Sequence, residues 1–194
     1  MRVSREKAQE NQDRVIDTAA GLLRQHGYDG IGVADLMKAA GLTHGGFYRT
    51  FASKDDLIVQ ATERALESTR VLLEDGYAAA PEVAFRNLIE QYVSGRHRDG
   101  TASGCILPAL AADSARRDDP ALRAVFVHAI EDYLRHLEAI APTMPDRSRS
   151  RAPAAILAEM VGAVVLARAL GRGGKAKKFL DAVVRDLTEA PRAG

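Results

Sequence analysis

The segment "LTHGGFYRTFASKDDL", Leu42 to Leu57, places two adjacent glycines inside a stretch that otherwise favours helix. A glycine inside a helix costs about 1 kcal/mol relative to alanine, so helix stability does not explain Gly45 and Gly46. Glycine has no Cβ atom, and its main chain can therefore approach another molecule more closely than that of any other residue. The segment thus predicts a surface at which the backbone meets a partner.

The residues before this segment predict two helices separated by a turn. Apolar residues recur at helical spacing from Val15 to Leu23 and indicate a first helix. The sequence "HGYDGIG" interrupts that pattern. A second, short helix is predicted over residues 33–40, and Gly41 is placed to end it.

The segment itself predicts a third helix and the start of a fourth. Thr43 is a suitable N-cap for a helix over residues 44–50. Ser53 and Asp56 have the spacing of a capping box, from which a long helix is predicted to run to about residue 75. Two short helices joined by a glycine turn are the plan of the helix-turn-helix DNA-binding motif.

The remainder of the chain predicts helices only, because no stretch shows sustained period-two alternation. We therefore predict an all-α fold of about nine helices, with a helix-turn-helix domain in residues 1–57 and a helical effector-binding and dimerisation domain in residues 58–194. The connector 141–153, rich in Pro, Ser and Arg, is predicted to be mobile. The later helices are predicted over residues 82–97, 107–116, 120–140, 154–170 and 176–187.

Composition agrees with a globular protein of a reducing compartment. Of 194 residues, 46% are hydrophobic and 27% charged, which is typical of folded chains. The single cysteine, Cys105, excludes an intrachain disulfide and favours the cytoplasm. The N-terminus lacks the apolar core of a secretory signal. The most apolar run, residues 152–171, contains Glu159 and Arg168, so it predicts a buried or interface helix and no membrane span.

Net charge does not by itself indicate a nucleic-acid binder. The whole chain carries +1, and residues 1–57 contain eight basic and eight acidic side chains. Binding to double-stranded DNA must therefore depend on where the charges lie.

The third predicted helix carries the residue types that a DNA duplex requires. Recognition helices point their N-terminal residues toward base edges and phosphates, and the free amides there attract phosphate oxygens. Hydroxyl and basic side chains add phosphate contacts, whereas Phe47 and Phe51 are assigned to the core of the domain. The predicted DNA-binding residues are Thr43, His44, Gly45, Gly46, Tyr48, Arg49, Thr50 and Lys54.

These features resemble the DNA-binding domain of the TetR/AcrR family of bacterial one-component repressors. The family shows a Gly-aromatic pair after helix one, an Ala-Gly turn, a glycine and aromatic-Tyr pair in helix three, and then a Phe-x-Ser-Lys-x-x-Leu pattern. The matching residues are Gly27, Tyr28, Ala40, Gly41, Gly46, Phe47, Tyr48, Phe51, Ser53, Lys54 and Leu57.

The resemblance implies a homodimeric repressor on a pseudo-palindromic operator, released by an effector. It implies phosphate contacts from Thr43, Tyr48 and Lys54 and base contacts from His44 and Gly45. One position departs from the family: relatives often have Thr where this chain has Gly32, and the phosphate contact of that hydroxyl is lost here. The basic residues Arg2, Arg5 and Lys7 form either a DNA-reaching arm or a solvated tail.

The effector site is predicted from aromatic and soft side chains on the middle helices, each of which could equally be plain core. Around Cys105, "TASGCILPAL" resembles a branch of the family that includes electrophile-sensing repressors. A thiol near a helix N-terminus is activated, but Pro108 favours a helix that begins at Leu107, which leaves the cysteine outside it. Cys105 is thus either a sensor or inert. The pocket residues are Phe85, Tyr92, Cys105, Phe126, His128, Tyr133 and Met160.

The dimer interface is predicted on the last two helices, as a four-helix bundle formed with a second copy. The alternative is burial of the same residues within one subunit. On the first helix the apolar stripe comprises Ile156, Met160, Ala163, Val164, Ala167 and Leu170. On the second it comprises Phe179, Leu180, Val183, Val184 and Leu187.

An enzyme is the competing interpretation, and the sequence gives it little support. The chain has no HExxH, GxSxG or P-loop motif. Asp132 and His136, four residues apart on a predicted helix, could share a metal or form an ion pair. We predict no enzymatic activity, no cofactor and no metal. A DNA-binding adaptor without a small effector is a further alternative.

Overall fold

A computed structural model describes residues 5–79 and 81–189, with the side chains of 71–81 left aside. Within that part of the chain the fold is all-α, as predicted, with eleven α-helices and no strand. The helices are α1 Arg5–His26, α2 Val33–Ala39, α3 Phe47–Thr50, α4 Lys54–Ala79, α5 Ala84–Tyr92, α6 Gly95–Asp99, α7 Leu107–Arg116, α8 Pro120–Ala139, α9 Asp146–Arg149, α10 Pro153–Ala169 and α11 Gly174–Thr188. Short 3₁₀ turns cover His44–Gly46, Pro81–Val83, Thr101–Ser103 and Ala141–Thr143.

The contacts divide the chain into two compact units. Unit one comprises Met1–Ser68 and Thr101–Phe126, and unit two comprises Thr69–Gly100 and Val127–Gly194. The predicted boundary divides the chain once, at residue 57. The contacts instead place the segment that contains α7 in the same unit as the helix-turn-helix.

Unit one is built on the apolar stripe of α1 and on three aromatic rings. Val15, Ala19 and Leu23 are buried, as are Phe47 and Phe51, whose rings lie 5.4 Å apart. The assignment of both phenylalanines to the core is therefore confirmed.

Tyr28, the aromatic residue that follows α1, is fully buried and hydrogen-bonded inside unit one. Its hydroxyl lies 3.2 Å from Oγ1 of Thr62. The Thr62 hydroxyl donates to the carbonyl of Ile58 at 2.7 Å, so the tyrosine is the donor of the pair. Burial raises the pKa of Tyr28 to about 12.

The turn between α2 and α3 depends on one glycine in the left-handed region. Gly41 has φ 71°. Its N–H donates to the Lys38 carbonyl at 3.0 Å, and the Leu42 N–H donates to the Met37 carbonyl at 2.9 Å. This pair of bonds is a Schellman motif, which satisfies the last carbonyls of α2 and turns the chain toward α3.

The Ser53 half of the capping box predicted for α4 is confirmed, whereas the Asp56 side chain reaches the residue before the N-cap. The Asp56 N–H donates to Ser53 Oγ at 3.0 Å, and the Asp56 carboxylate accepts from the Ala52 N–H at 3.0 Å. Thr43, predicted to cap the third helix, occupies the N-cap position in extended conformation, but its side chain makes no capping bond. The third helix also begins as a 3₁₀ turn over His44–Gly46 and becomes α-helical only at Phe47.

Two predictions for unit two were wrong. The helix predicted over 82–97 is two helices, α5 and α6, because Ser94 accepts from the His97 N–H at 3.0 Å and starts a new N-terminus. The connector 141–153 contains helical structure and is anchored. The buried Ser148 hydroxyl donates to the Leu187 carbonyl at 2.6 Å, and Arg147 pairs with Asp186 at 2.6 Å.

The two charges that interrupt the apolar α10 both have partners within unit two. Glu159 pairs with Arg151 at 2.5 Å. Arg168 donates to the carbonyls of Arg98 at 3.1 Å and His97 at 3.3 Å, at the end of α6. Both charges therefore stabilise the packing of α10 within unit two. Among the described residues, no helix is long and apolar enough to cross a membrane.

Candidate nucleic-acid interface

The third helix and its flanks expose a continuous set of polar groups. Phe47 and Phe51 point into the core and fix the orientation of the segment between them. The other side chains consequently point outward. Thr43, His44, Gly45, Tyr48, Arg49 and Thr50 are exposed, and Gly46 and Lys54 are partly exposed.

Neither glycine of the pair is required by the chain's own packing. A Cβ built on Gly45 meets nothing within 4 Å. One built on Gly46 would lie 3.7 Å from the Met37 side chain and 3.9 Å from Thr43 Oγ1, which is ordinary contact. Neither residue is among the glycines with positive φ. An alanine would therefore fit at both positions, and the reason for glycine must lie outside the chain.

Tyr48 is the most exposed of the large hydrophobic residues that the structure describes, at 69%. Its ring contacts the Phe47 ring edge-on at 5.1 Å and the His44 ring at 5.9 Å. These two contacts orient a hydroxyl and an imidazole outward from the same turn.

Three polar side chains complete the surface. The Thr50 hydroxyl donates to the Gly46 carbonyl at 3.2 Å, which leaves its oxygen free to accept. Lys54 is the first residue of α4. Arg49 and Lys54 form no ion pair with the described side chains, so both cations are available to an external anion.

Basic residues from outside the first 57 positions neutralise acidic side chains of the helix-turn-helix. Arg64 pairs with Asp13 at 3.0 Å and Asp17 at 2.5 Å, and these hydrogen bonds, that to Asp13 foremost, raise its pKa. Arg117, at the end of α7, pairs with Asp29 at 2.9 Å and also with Asp55.

Four of the eight acidic residues of positions 1–57 are thus paired with arginines from elsewhere in unit one, so these four carboxylates have cationic partners that the local sequence does not show. Sequence reasoning missed both arginines because their partners lie 47 to 88 positions away.

The proposed N-terminal arm is partly outside the described residues. Arg2 is not described, whereas Arg5 and Lys7 lie in the first turn of α1. Lys7 pairs with Glu10 at 2.9 Å. Gly32 is the N-cap residue of α2, with no side-chain capping bond, and a Cβ there would lie 3.7 Å from an Asp35 oxygen.

The residues predicted for the effector pocket belong to different units. Cys105 and Phe126 are buried in unit one, and Phe85, Tyr92, Tyr133 and Met160 are buried in unit two. The Tyr92 and Tyr133 rings meet edge-on at 5.8 Å.

His128 does not line an interior pocket, which corrects its prediction. Its side chain is 61% exposed and pairs with Asp132 at 3.4 Å on the same helix. Asp132 also pairs with Arg135 at 2.8 Å. No group of three or more His, Cys, Asp or Glu residues able to hold a metal occurs among the described residues.

Cys105 lies just before α7, as Pro108 suggested. The helix begins at Leu107 with Ile106 as its N-cap residue. The cysteine is 5% exposed, and its sulfur accepts from the Leu107 N–H at 3.4 Å. Burial lowers the pKa of Arg24, and charge coupling to Cys105 opposes part of that effect.

The residues predicted for the dimer interface divide by exposure. Ile156, Met160, Ala163, Val164 and Ala167 are buried inside the single chain, and so are Leu180 and Leu187 on α11. Their side chains are therefore not available to a second copy, which corrects this part of the prediction. Leu170 is exposed, and Phe179, Val183 and Val184 are partly exposed.

The opposite side of α10 carries exposed apolar residues that the sequence stripe did not include. Val165 and Leu166 are 43% and 54% exposed. Ala155, Ala158 and Ala169 are exposed on the same side. The periodicity of apolar residues in the sequence could not distinguish the two sides of α10, because both sides are apolar.

The comparison with known proteins agrees with this geometry. Residues 15–61 match the family model described as bacterial regulatory proteins, tetR family. A segment of 58 residues is 34% identical to the uncharacterized HTH-type transcriptional regulator YwcC of Bacillus subtilis (strain 168) and covers 30% of this chain and 26% of that relative. The match therefore spans about a quarter of the length of the curated relative.

Solved structures resemble the chain over nearly its whole length. A TetR transcriptional regulator from Chloroflexus aurantiacus J-10-FL superposes with a TM-score of 0.78 at 26% identity, covering 95% of this chain and 98% of that one. Reduced NemR from E. coli gives a TM-score of 0.73 at 20% identity, covering 92% and 98%. The second likeness shows the fold alone.

Proposed function

The chain belongs to the TetR family of transcriptional regulators, and we propose that it represses transcription as a homodimer bound to a pseudo-palindromic operator and is released by an effector. One observation carries the DNA proposal. The exposed segment from Thr43 to Lys54 contains two glycines for which the chain itself has no steric need. A DNA duplex lying against the third helix would explain the two glycines, because phosphates and base edges could then approach the main chain directly.

We assign different roles to the side chains of this surface. Thr43, Tyr48 and Lys54 contact phosphates and fix the position of the helix on the duplex, with help from Arg49 and Thr50. His44 and the backbone of Gly45 meet base edges in the major groove. The edge-on contact of His44 with Tyr48 supports this assignment. A phosphate bound by the tyrosine would determine how deeply the His44 imidazole enters the major groove.

The ion pairs of unit one support electrostatic attraction to DNA. Arg64 and Arg117 each hold two carboxylates. Arg49 and Lys54 have no carboxylate partner among the described side chains. A phosphate approaching the third helix therefore meets two available cations, and four of the eight acidic groups of residues 1–57 are already paired with arginines.

The exposed side of α10 supports dimerisation with a second copy. Val165, Leu166 and Leu170 are exposed apolar residues of one helix, and a Cβ built on Gly162, which lies between them and the helix start, meets nothing within 4 Å. Small residues let two helices approach closely, and Phe179 and Val183 of α11 add larger partly exposed groups. Two helices from each subunit would form a four-helix bundle and set the recognition helices about one DNA turn, roughly 34–36 Å, apart.

Cys105 is a second candidate for the site that senses the releasing signal, because electrophiles modify thiols. The Leu107 N–H donates to the Cys105 sulfur at 3.4 Å, and the charge of Arg24 is coupled to the cysteine. Gel-shift of wild type and Cys105→Ser in N-ethylmaleimide tests this candidate. Release of wild type alone supports it, and equal release of both, or release of neither, removes the cysteine from the proposal.

The repressor proposal is tested by selecting random duplexes with the purified protein and sequencing them. We expect an inverted repeat whose centre-to-centre half-site spacing matches one DNA turn or a related distance. His44→Ala should change the selected sequence, whereas Lys54→Ala should lower affinity for every sequence equally. Selection of no motif would remove the operator. Because operator DNA lies in the bacterial cytoplasm, the proposal places the protein there.

A further inference from the structure

A cleft of about 800 Å³ opens in unit two between the α5–α6 region and α11. Ligand pockets in proteins usually have about 300–1,000 Å³, so the cleft is large enough for a small molecule. All the residues that line it belong to unit two, whereas the third helix and Cys105 belong to unit one. Neither the DNA surface nor the cysteine accounts for it.

The lining of the cleft is cationic. Arg98, Arg172, Lys177 and Arg185 line it, against the two carboxylates of Glu90 and Asp181. Asp99 binds Arg98 through two hydrogen bonds of 2.8 and 2.9 Å, and Arg172 lies 3.4 Å from the same carboxylate.

The cationic side chains that face solvent are able to bind an external anion. Lys177 pairs with Asp181 at 2.6 Å but its side chain remains 75% exposed, and Arg172 is 78% exposed. Arg185 forms no ion pair with any described residue. An anion in the cleft would therefore meet one cation, Arg185, without a carboxylate partner in the described part of the chain, and two paired cations whose side chains are largely exposed.

The floor of the cleft is apolar. Val93 and Leu180 are buried beneath it and Val184 is partly exposed. An anionic group alone would leave the exposed part of Val184 uncovered, so the lining fits a molecule with an anionic head and an apolar body.

The start of α11 adds main-chain donors to the same cleft. Gly173 is extended and Gly174 is the first helical residue, and no side chain caps this helix of 15 residues. A Cβ on either glycine would meet nothing within 4 Å. The first amides of α11 are thus open to an anion that the basic side chains already attract.

The cleft does not compete with the proposed dimer interface. At about 100° per residue, Lys177, Asp181 and Val184 share one side of α11. Phe179 and Val183, assigned to the dimer, lie on the opposite side. Both surfaces can therefore be occupied at once.

We propose that this cleft binds an amphipathic organic anion, with its carboxylate or phosphate at Lys177, Arg185 and the α11 amides and its apolar chain over Leu180 and Val184. The proposal goes beyond DNA binding and does not depend on it. The carboxylate and the phosphate share the chemistry that the site recognises, and the test separates them.

Calorimetric titration of the full-length protein with octanoate, octyl phosphate and octan-1-ol tests the site. We expect saturable binding of at least one anion, at least about ten-fold tighter than the alcohol, because the alcohol lacks the charge-assisted hydrogen bonds. The tighter anion identifies the head group. Absence of saturable binding, or equal affinity for the alcohol, would overturn the proposal.

Two variants and a matched control locate the binding. Lys177→Ala and Arg185→Ala should each weaken the anion about ten-fold. Lys178→Ala removes the same charge from an exposed position of α11 that does not line the cleft, and it should change binding less than two-fold. Equal losses in all three variants would mean general charge attraction and would refute the site. DNA affinity is not the readout, so failure here leaves the repressor proposal standing.

Discussion

Replacing Gly45 separates the stability of the fold from the affinity for DNA. The residue lies in the His44–Gly46 turn without positive φ, and a Cβ there meets nothing within 4 Å. Gly45→Ala should therefore stabilise the free protein by about 0.4–1 kcal/mol, because the unfolded chain loses conformational freedom. Against a duplex in close contact, the added methyl group should cost about 1–3 kcal/mol, which is about a 5- to 150-fold loss of affinity. Gly45→Leu should lose more.

Urea unfolding and fluorescence anisotropy with a selected operator measure the two effects on the same samples. Gly174→Ala is the matched control, since it too adds a Cβ to open space at the start of a helical segment, but in unit two. It should leave operator affinity unchanged within about two-fold. If folded Gly45→Leu bound the operator as tightly as wild type, the main chain would not lie against DNA at this position, and the assignment of the third helix would fail.

Three further predictions address the phosphate contact, the dimer and the core. Lys54→Ala should reduce the slope of log affinity against log salt by about 0.9, and a changed sequence preference without a changed slope would contradict its phosphate role. Leu166→Glu should convert the dimer to a monomer in sedimentation experiments, whereas Val127→Glu, at an equally exposed apolar residue of α8, should not; a dimer that survives the first change would exclude the α10 interface. Tyr28 has its pKa raised to about 12, so the folded state favours the neutral phenol, and the stability that this provides is complete below about pH 10 and lost as the pH rises toward 12. Wild type should lose about 1.4 kcal/mol of unfolding free energy between pH 9 and 11 relative to Tyr28→Phe, measured by urea unfolding, and parallel losses in both proteins would show that Tyr28 does not titrate in this way.

Local features of the sequence were sufficient to predict most of the helices and the core positions of Phe47 and Phe51. Leu107–Arg116 was predicted to the residue, and Ser53 caps α4 by accepting from the Asp56 N–H as expected. These features depend on neighbours within four or five positions, and short-range chemistry determines them wherever the segment lies in the fold.

Long-range contacts decided the rest. The partners of Arg64 and Arg117 are brought to them by the packing of helices far apart in sequence. The ordered connector around Ser148 likewise depends on a contact made across unit two, with the Leu187 carbonyl.

The sequence by itself determined that α10 is apolar, but only the tertiary structure decided which side of it is buried. Its residues are apolar around the whole circumference, so periodicity could not distinguish the side of Ile156 and Met160 from the side of Val165 and Leu166. Packing against α11 and α6 made that choice. The physical reason is that burial is a property of neighbours in space, whereas helix caps and turns are properties of neighbours along the chain.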